Sequence, residues 1–357
     1  MLPLLLLALA GCWKPYDSLV PLNFSAVPYE VDGLDSTDAV ITSFESDLVC
    51  PDGEAARFFA IYREGDTGPA PVAIVFHSGP FDYILDPDEE SPLSGEGYYL
   101  DSRLQRTWGV SKVWETMGLL YPQQLDDAEV NLGTLPAALT DAGVVQIYPS
   151  NCWGDLWHNW PDVQDNAAED GFDRAGLEMA FRMIQMVIEP SAASDLGFSV
   201  PVQFDTSELY LIGLGDGGRA VSELMLTGDL PPVAGALFDS SPDLLSAYVA
   251  DPDAYSAEIT GLERIFGEEN TGNLDAWSLS AIPSDAWPDR LGWIWSEVDS
   301  RLPLGSLEGT AATLEAGGAG WVYQTGLEGH VFTNGDRALA DGAVNYLMTG
   351  ETPVLDQ

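Results

Sequence analysis

Leu209-Tyr210-Leu211-Ile212-Gly213-Leu214-Gly215-Asp216-Gly217-Gly218-Arg219-Ala220 is the stretch that decides the fold of this 357-residue chain. Four apolar residues in a row, closed by glycine, read as a strand buried on both faces. The glycines that follow demand a tight turn, and Arg219–Leu226 carries a short helical pattern. Strand, turn and helix start fit two motifs. One is the dinucleotide fingerprint, with Gly213, Gly215 and Gly218 in its glycine positions; a helix N-terminus then holds pyrophosphate and an acidic residue about 20 positions on takes the ribose hydroxyls. Asp239 closes the next apolar run, Ala234–Phe238, and falls 21 residues after Gly218. The fingerprint normally opens a sheet, however, and four strand-like runs precede it here. The other motif is G-x-S-x-G, a strained turn that lifts the central side chain above the sheet.

Working outward, short apolar runs recur at Ala39–Phe44, Ala56–Tyr62, Val72–Phe76, Val144–Tyr148, Leu209–Ile212, Ala234–Phe238, Leu291–Trp295 and Trp321–Tyr323. Most are continuous and bounded by Gly, Pro or Asp, as in strands covered on both sides. Helical spacing separates several of them, most clearly over Gly171–Ile188. Alternation of strand and helix predicts a mostly parallel central sheet of about eight strands with helices on both faces, opened by a hairpin turning at Pro51-Asp52-Gly53. Two long insertions, near 80–133 and 151–205, are expected over the carboxyl ends of the strands, where open α/β sheets bind ligands.

With Gly213 and Gly217 as its flanking glycines, the central turn resembles the Gly-x-Ser-Asp-Gly-Gly elbow of the α/β-hydrolases, except that Gly215 stands where the serine belongs. Shifting the frame by one places Asp216 at the centre, as in hydrolases that attack with a carboxylate, but puts Leu214 where a small residue is required. His77-Ser78-Gly79-Pro80 resembles the oxyanion loop, which implies Gly79 and Asp216 as backbone donors. Leu291-Gly-Trp-Ile-Trp-Ser-Glu-Val-Asp299 resembles the strand and loop of the triad acid, with Asp299 as the acid and Glu297 in reserve. Trp321-Val-Tyr-Gln-Thr-Gly-Leu-Glu-Gly-His330 resembles the last strand and the loop of the triad base, His330, before a closing helix over 335–348. The resemblance covers roughly 39–350. Tyr148-Pro149-Ser150-Asn151-Cys152-Trp153 is similar to the esterase and polyhydroxyalkanoate-depolymerase branch. Without a hydroxyl at Gly215 covalent catalysis is lost, because nucleophile, base and acid act as a unit. The expectation is therefore a non-catalytic hydrolase-fold protein with a retained ligand pocket. The alternatives are an active ester hydrolase using Asp216, or water activated by His330 and Asp299, and a dinucleotide-binding protein.

Composition narrows the partners. Asp and Glu number 57 against 13 Lys and Arg, a formal charge of −44. Such a field repels nucleic acid and anionic headgroups. Hydrophobic residues make up 46%, enough for a large core. The opening Met1–Cys12 run is uncharged and apolar, and Leu9-Ala10-Gly11-Cys12 resembles a bacterial lipobox. That implies a signal peptide over 1–11, lipidation of Cys12, a Pro- and Asp-rich tether over 12–37, one hydrolase-like domain over 38–357, and a place on the cell envelope. The membrane is then met only through the lipid. Cys50 and Cys152 remain, an even pair that suggests one disulfide in an oxidising compartment.

Trp153, Trp157 and His158 follow the fourth strand, where aromatic rings suit a small-molecule or polymer ester, acyl or glycan ligand; packing of the insertion on the sheet is the plainer reading of the same residues. Asp155 and His158 alone do not make a metal site, Asp86–Glu90 lacks the spacing of a calcium loop, and neither a metal nor a cofactor is expected. Ser240 and Ser241 follow the sixth run without elbow glycines and read as turn-capping hydroxyls.

Overall fold

The computed structural model describes residues 25–29, 39–49, 55–63, 68–76, 134–149, 203–215, 217–227, 232–240, 279–299, 303–327, 332–334 and 336–355. Among the described residues nine strands form one sheet: β1 (Ser25–Tyr29), β2 (Ala39–Val49), β3 (Ala55–Arg63), β4 (Pro69–Phe76), β5 (Val145–Pro149), β6 (Gln203–Leu214), β7 (Gly235–Asp239), β8 (Arg290–Ser296) and β9 (Trp321–Thr325). Their order across the sheet is β1-β2-β3-β5-β4-β6-β7-β8-β9. The first three run antiparallel to their neighbours, and every pairing across the sheet from β5 to β9 is parallel. All eight apolar runs of the sequence fall on strands, and the sheet is the mostly parallel one expected.

Two boundaries differ from the sequence reading. Ser25–Tyr29 lies inside the stretch expected to be a tether, yet pairs with β2 from Ser25 opposite Glu45 to Tyr29 opposite Ile41. An edge strand is held by backbone pairing to one neighbour, so its composition need not carry an apolar run. β6 begins at Gln203, within the expected insertion, and its first residues pair with Pro69 and Ala70 before a register shift. The helix over Gly171–Ile188, the turn at Pro51–Gly53 and most of both insertions lie outside the described residues.

Four α-helices are found among the described residues: α1 (Thr134–Asp141), α2 (Gly217–Thr227), α3 (Leu304–Gly317) and α4 (Arg337–Thr349). Side chains alternate along each strand, so a strand covered on both sides supplies two cores. Ala73, Val75, Tyr210, Ile212, Leu214, Leu237 and Ile294 join Leu135 and Leu139 of α1 and Leu339, Ala343 and Leu347 of α4 in one apolar cluster. The intervening Val72, Ile74, Phe76, Leu209, Leu211, Ala236, Phe238 and Trp293 are buried as well, outside that cluster, as are Val221 and Leu224 of α2 and Leu307 of α3. Two-sided burial explains why these strands read as continuous apolar runs.

The helix ends follow local chemistry. The Asp336 carboxylate accepts the Leu339 N–H at 3.0 Å as the N-cap of α4. Gly318 and Gly350 close α3 and α4 in the left-handed conformation. Arg290, at the start of β8, donates to the carbonyls of Leu347 and Met348 at the end of α4, and meets Glu208 at 3.2 Å.

The strand order reverses at β4: the chain leaves β4 for β5 on one side and resumes with β6 on the other. Crossovers departing in opposite directions leave a crevice at the carboxyl ends of the strands where they part. Gly215 follows β6 at that point, with Gly213 in register with Phe76.

Candidate functional site

The turn after β6 is set by backbone contact. A Cβ on Gly213 would meet the Gly218 amide nitrogen at 2.8 Å and would also press on the Gly218 Cα, so only glycine fits. Gly215 has φ +52°, in the left-handed region. Its N–H donates to the Asp239 carbonyl at 2.7 Å, and its own carbonyl accepts from the Gly218 N–H at 3.0 Å as α2 begins. Gly213 is needed for space and Gly215 for conformation. The two glycines suit the frame centred on Gly215; the frame centred on Asp216 would put Leu214 at the crowded position.

β7 ends in Asp239, whose side chain is fully buried. Its carboxylate accepts the Phe332 N–H at 3.2 Å, the Thr333 N–H at 2.9 Å and the Thr333 hydroxyl at 2.5 Å. Burial pushes its pKa up to about 6, opposed by the bonds from Thr333 and Phe332 and helped by the charge of Asp299. Ser240, the next residue, has φ +53° although it carries a side chain. Such a conformation costs about 1–3 kcal/mol in a non-glycine residue and persists only where neighbours enforce it. The Ser240 N–H donates to the Ile294 carbonyl at 3.0 Å, and its hydroxyl donates to Asp299 Oδ2 at 3.1 Å.

Asp299 follows β8 and is 9% exposed, its N–H donating to the Ser296 carbonyl at 3.3 Å. Glu297 is exposed and accepts from Gln324 Nε2 at 2.8 Å. Of these two carboxylates, Asp299 is the one turned inward. Beyond β9, Phe332 is 2% exposed, and the Thr333 carbonyl accepts from the Thr134 hydroxyl of α1. The ends of β6, β7 and β8 and the segment at Phe332–Thr333 are thus joined through Gly215, Asp239, Ser240 and Asp299.

Of the residues expected at the triad and oxyanion positions, Gly215, Asp299 and the reserve acid Glu297 fall among the described ones; Gly215 and Asp299 follow β6 and β8, two strands apart at the same edge of the sheet. Gly79, Asp216, His330, Trp153, Trp157, His158, Cys12, Cys50 and Cys152 lie outside the described residues. Among the described residues, no three His, Cys, Asp or Glu side chains gather as a metal would require. In the sequence, Asp239 offers itself only as a ribose acceptor for a dinucleotide. Its carboxylate is instead enclosed and bonded to Phe332 and Thr333, which keeps it from a ribose. The available signal is a lone acidic residue ending the run Ala236-Leu237-Phe238, since a buried charge in an apolar strand needs partners.

The same architecture recurs in solved structures. Acetyl xylan esterase 1 from Thermoanaerobacterium sp. JW/SL YS485 superposes with a TM-score of 0.51 at 12% identity, over 92% of this chain and 88% of that one. Brefeldin A esterase, a bacterial homologue of human hormone sensitive lipase, superposes with a TM-score of 0.50 at 14% identity, over 98% and 85%. The chain has the α/β-hydrolase fold. At these identities the likeness establishes the fold alone. No protein-family model matches the sequence, and no curated protein matches it either.

Proposed function

We propose that this α/β-hydrolase-fold protein is a non-catalytic binder of an ester, acyl or glycan ligand, held at the carboxyl ends of β4, β6 and β8, and that the chain is anchored to the cell envelope through lipidated Cys12. The observation that carries the reading is Gly215. Its φ of +52° in the turn between β6 and α2, with Gly213 packed against Gly218, supports reading it as an elbow position that lacks the hydroxyl of a nucleophile. In this reading Asp299 takes the role of the triad acid and His330 that of the base, Gly79 and Asp216 are the oxyanion N–H donors, and Trp153, Trp157 and His158 are the ligand-binding residues. Loss of the nucleophile alone has cost about 10⁶ in kcat in a serine protease. Glycine also relieves the strain a serine would bear at this φ.

The test is hydrolysis of short-chain esters by residues 13–357 in high salt, beside Gly215→Ser, Asp216→Asn and His330→Ala. A silent native protein, and a Gly215→Ser variant whose turnover requires His330, support the reading. An active native protein silenced by Asp216→Asn overturns it in favour of a carboxylate nucleophile. Mass spectrometry of membrane-extracted protein tests the lipid on Cys12 and a Cys50–Cys152 disulfide.

A further inference from the structure

Two consecutive residues, Asp239 and Ser240, reach three separate segments of the proposed site. The Asp239 carbonyl accepts the Gly215 N–H at 2.7 Å and so fixes the elbow turn. Its carboxylate accepts Phe332 N–H at 3.2 Å, Thr333 N–H at 2.9 Å and Thr333 Oγ1 at 2.5 Å, and so fixes the chain two and three residues after position 330. The Ser240 hydroxyl donates to Asp299 Oδ2 at 3.1 Å. In a regular strand, neighbouring side chains point to opposite faces and could not serve one site together. The left-handed conformation of Ser240, φ +53°, breaks that alternation.

The contrast with Gly215 is informative. Both residues take a positive φ directly after a strand, at adjacent strand ends. Glycine would adopt the conformation freely at position 240 too, but would lose the bond to Asp299. A side chain kept in a strained backbone conformation, buried and bonded to a carboxylate, is a side chain with a task. The Asp239 carboxylate is equally committed: it is wholly buried, and the three donors it accepts from all come from one short segment far away in the chain.

We infer that Asp239-Ser240 is the positioning element of the site, setting the elbow turn, the Asp299 carboxylate and the Phe332–Thr333 segment at fixed separations. The part concerning Asp299 and turnover rests on the reading of the site given above; the part concerning Phe332 and Thr333 does not. In the native chain, hydrogen exchange of Phe332 or Thr333 is expected to quicken about tenfold in Asp239→Asn, because the two N–H groups bond to different carboxylate oxygens and one of these becomes an amide group that only donates. The Gly215 amide, which bonds to the main-chain carbonyl, should keep its protection. Unchanged exchange at Phe332 and Thr333, or a uniform acceleration through β6 and β8, would overturn the inference. Asp239→Ser, which withdraws both accepting carboxylate oxygens and leaves no buried charge, provides the same readout at both amides should Asp239→Asn fail to fold. In the Gly215→Ser background, Ser240→Ala is expected to lower kcat about tenfold with KM unchanged, and an unaltered kcat would refute the Asp299 arm. If Gly215→Ser is inert, the functional reading fails while the exchange measurement still decides the positioning element.

Discussion

The buried Asp239 carboxylate gives stability a pH dependence whose sign and size follow from its surroundings. In the folded chain its pKa is raised to about 6, chiefly by burial. The unfolded value is about 3.9, a difference of about two units, or about 3 kcal/mol at about 1.4 kcal/mol per unit. Because the folded value is the higher one, the native state binds this proton more tightly. The stabilisation is then complete below about pH 4 and is lost as pH rises through about 6. Urea titrations of the native chain and Asp239→Asn at several values between about pH 4 and pH 7, in constant high salt, isolate the contribution, since the other carboxylates cancel in the difference. The stability of the native chain minus that of the variant should fall by about 3 kcal/mol from about pH 4 to about pH 7. A flat difference, or one that grows with pH, would show that Phe332 and Thr333 hold the carboxylate strongly enough to outweigh its burial.

Three further substitutions probe other parts of the structure. Gly213→Ala sets a methyl group against the backbone of Gly218, which cannot yield without moving the start of α2, and should lower stability by about 3 kcal/mol in denaturant titrations; a loss below about 1 kcal/mol would mean that the turn is looser than described. Trp293 is fully buried in β8 and its indole N–H has no hydrogen-bond partner among the described residues, so Trp293→Phe forfeits packing but no bond to any of these and should cost about 1 kcal/mol by chemical denaturation, well short of the roughly 3–5 kcal/mol typical of truncation to alanine. Arg290→Met keeps much of the apolar stem but removes the donors to the carbonyls of Leu347 and Met348 and the partner of Glu208 on β6; it should lower stability by about 2 kcal/mol and speed amide exchange in the last turn of α4.

The sequence by itself determined the class of the fold. Strands covered on both faces must be apolar at consecutive positions, so each of the eight runs, from Ala39–Phe44 to Trp321–Tyr323, carried its own signal. The glycines at 213 and 215 were legible too, because a turn that crowds its own backbone and passes through a positive φ leaves little choice of residue. The tertiary structure decided the rest. Ser25–Tyr29 is a strand only because β2 offers it an unpaired edge, a fact no local composition records. Asp239 and Ser240 look, in the sequence, like a strand end and a turn cap. Their partners, Phe332, Thr333 and Asp299, stand 59 to 94 positions away in the chain. Hydrogen bonds between such distant residues depend on the strand order β6-β7-β8-β9, and that order exists only once the sheet has formed.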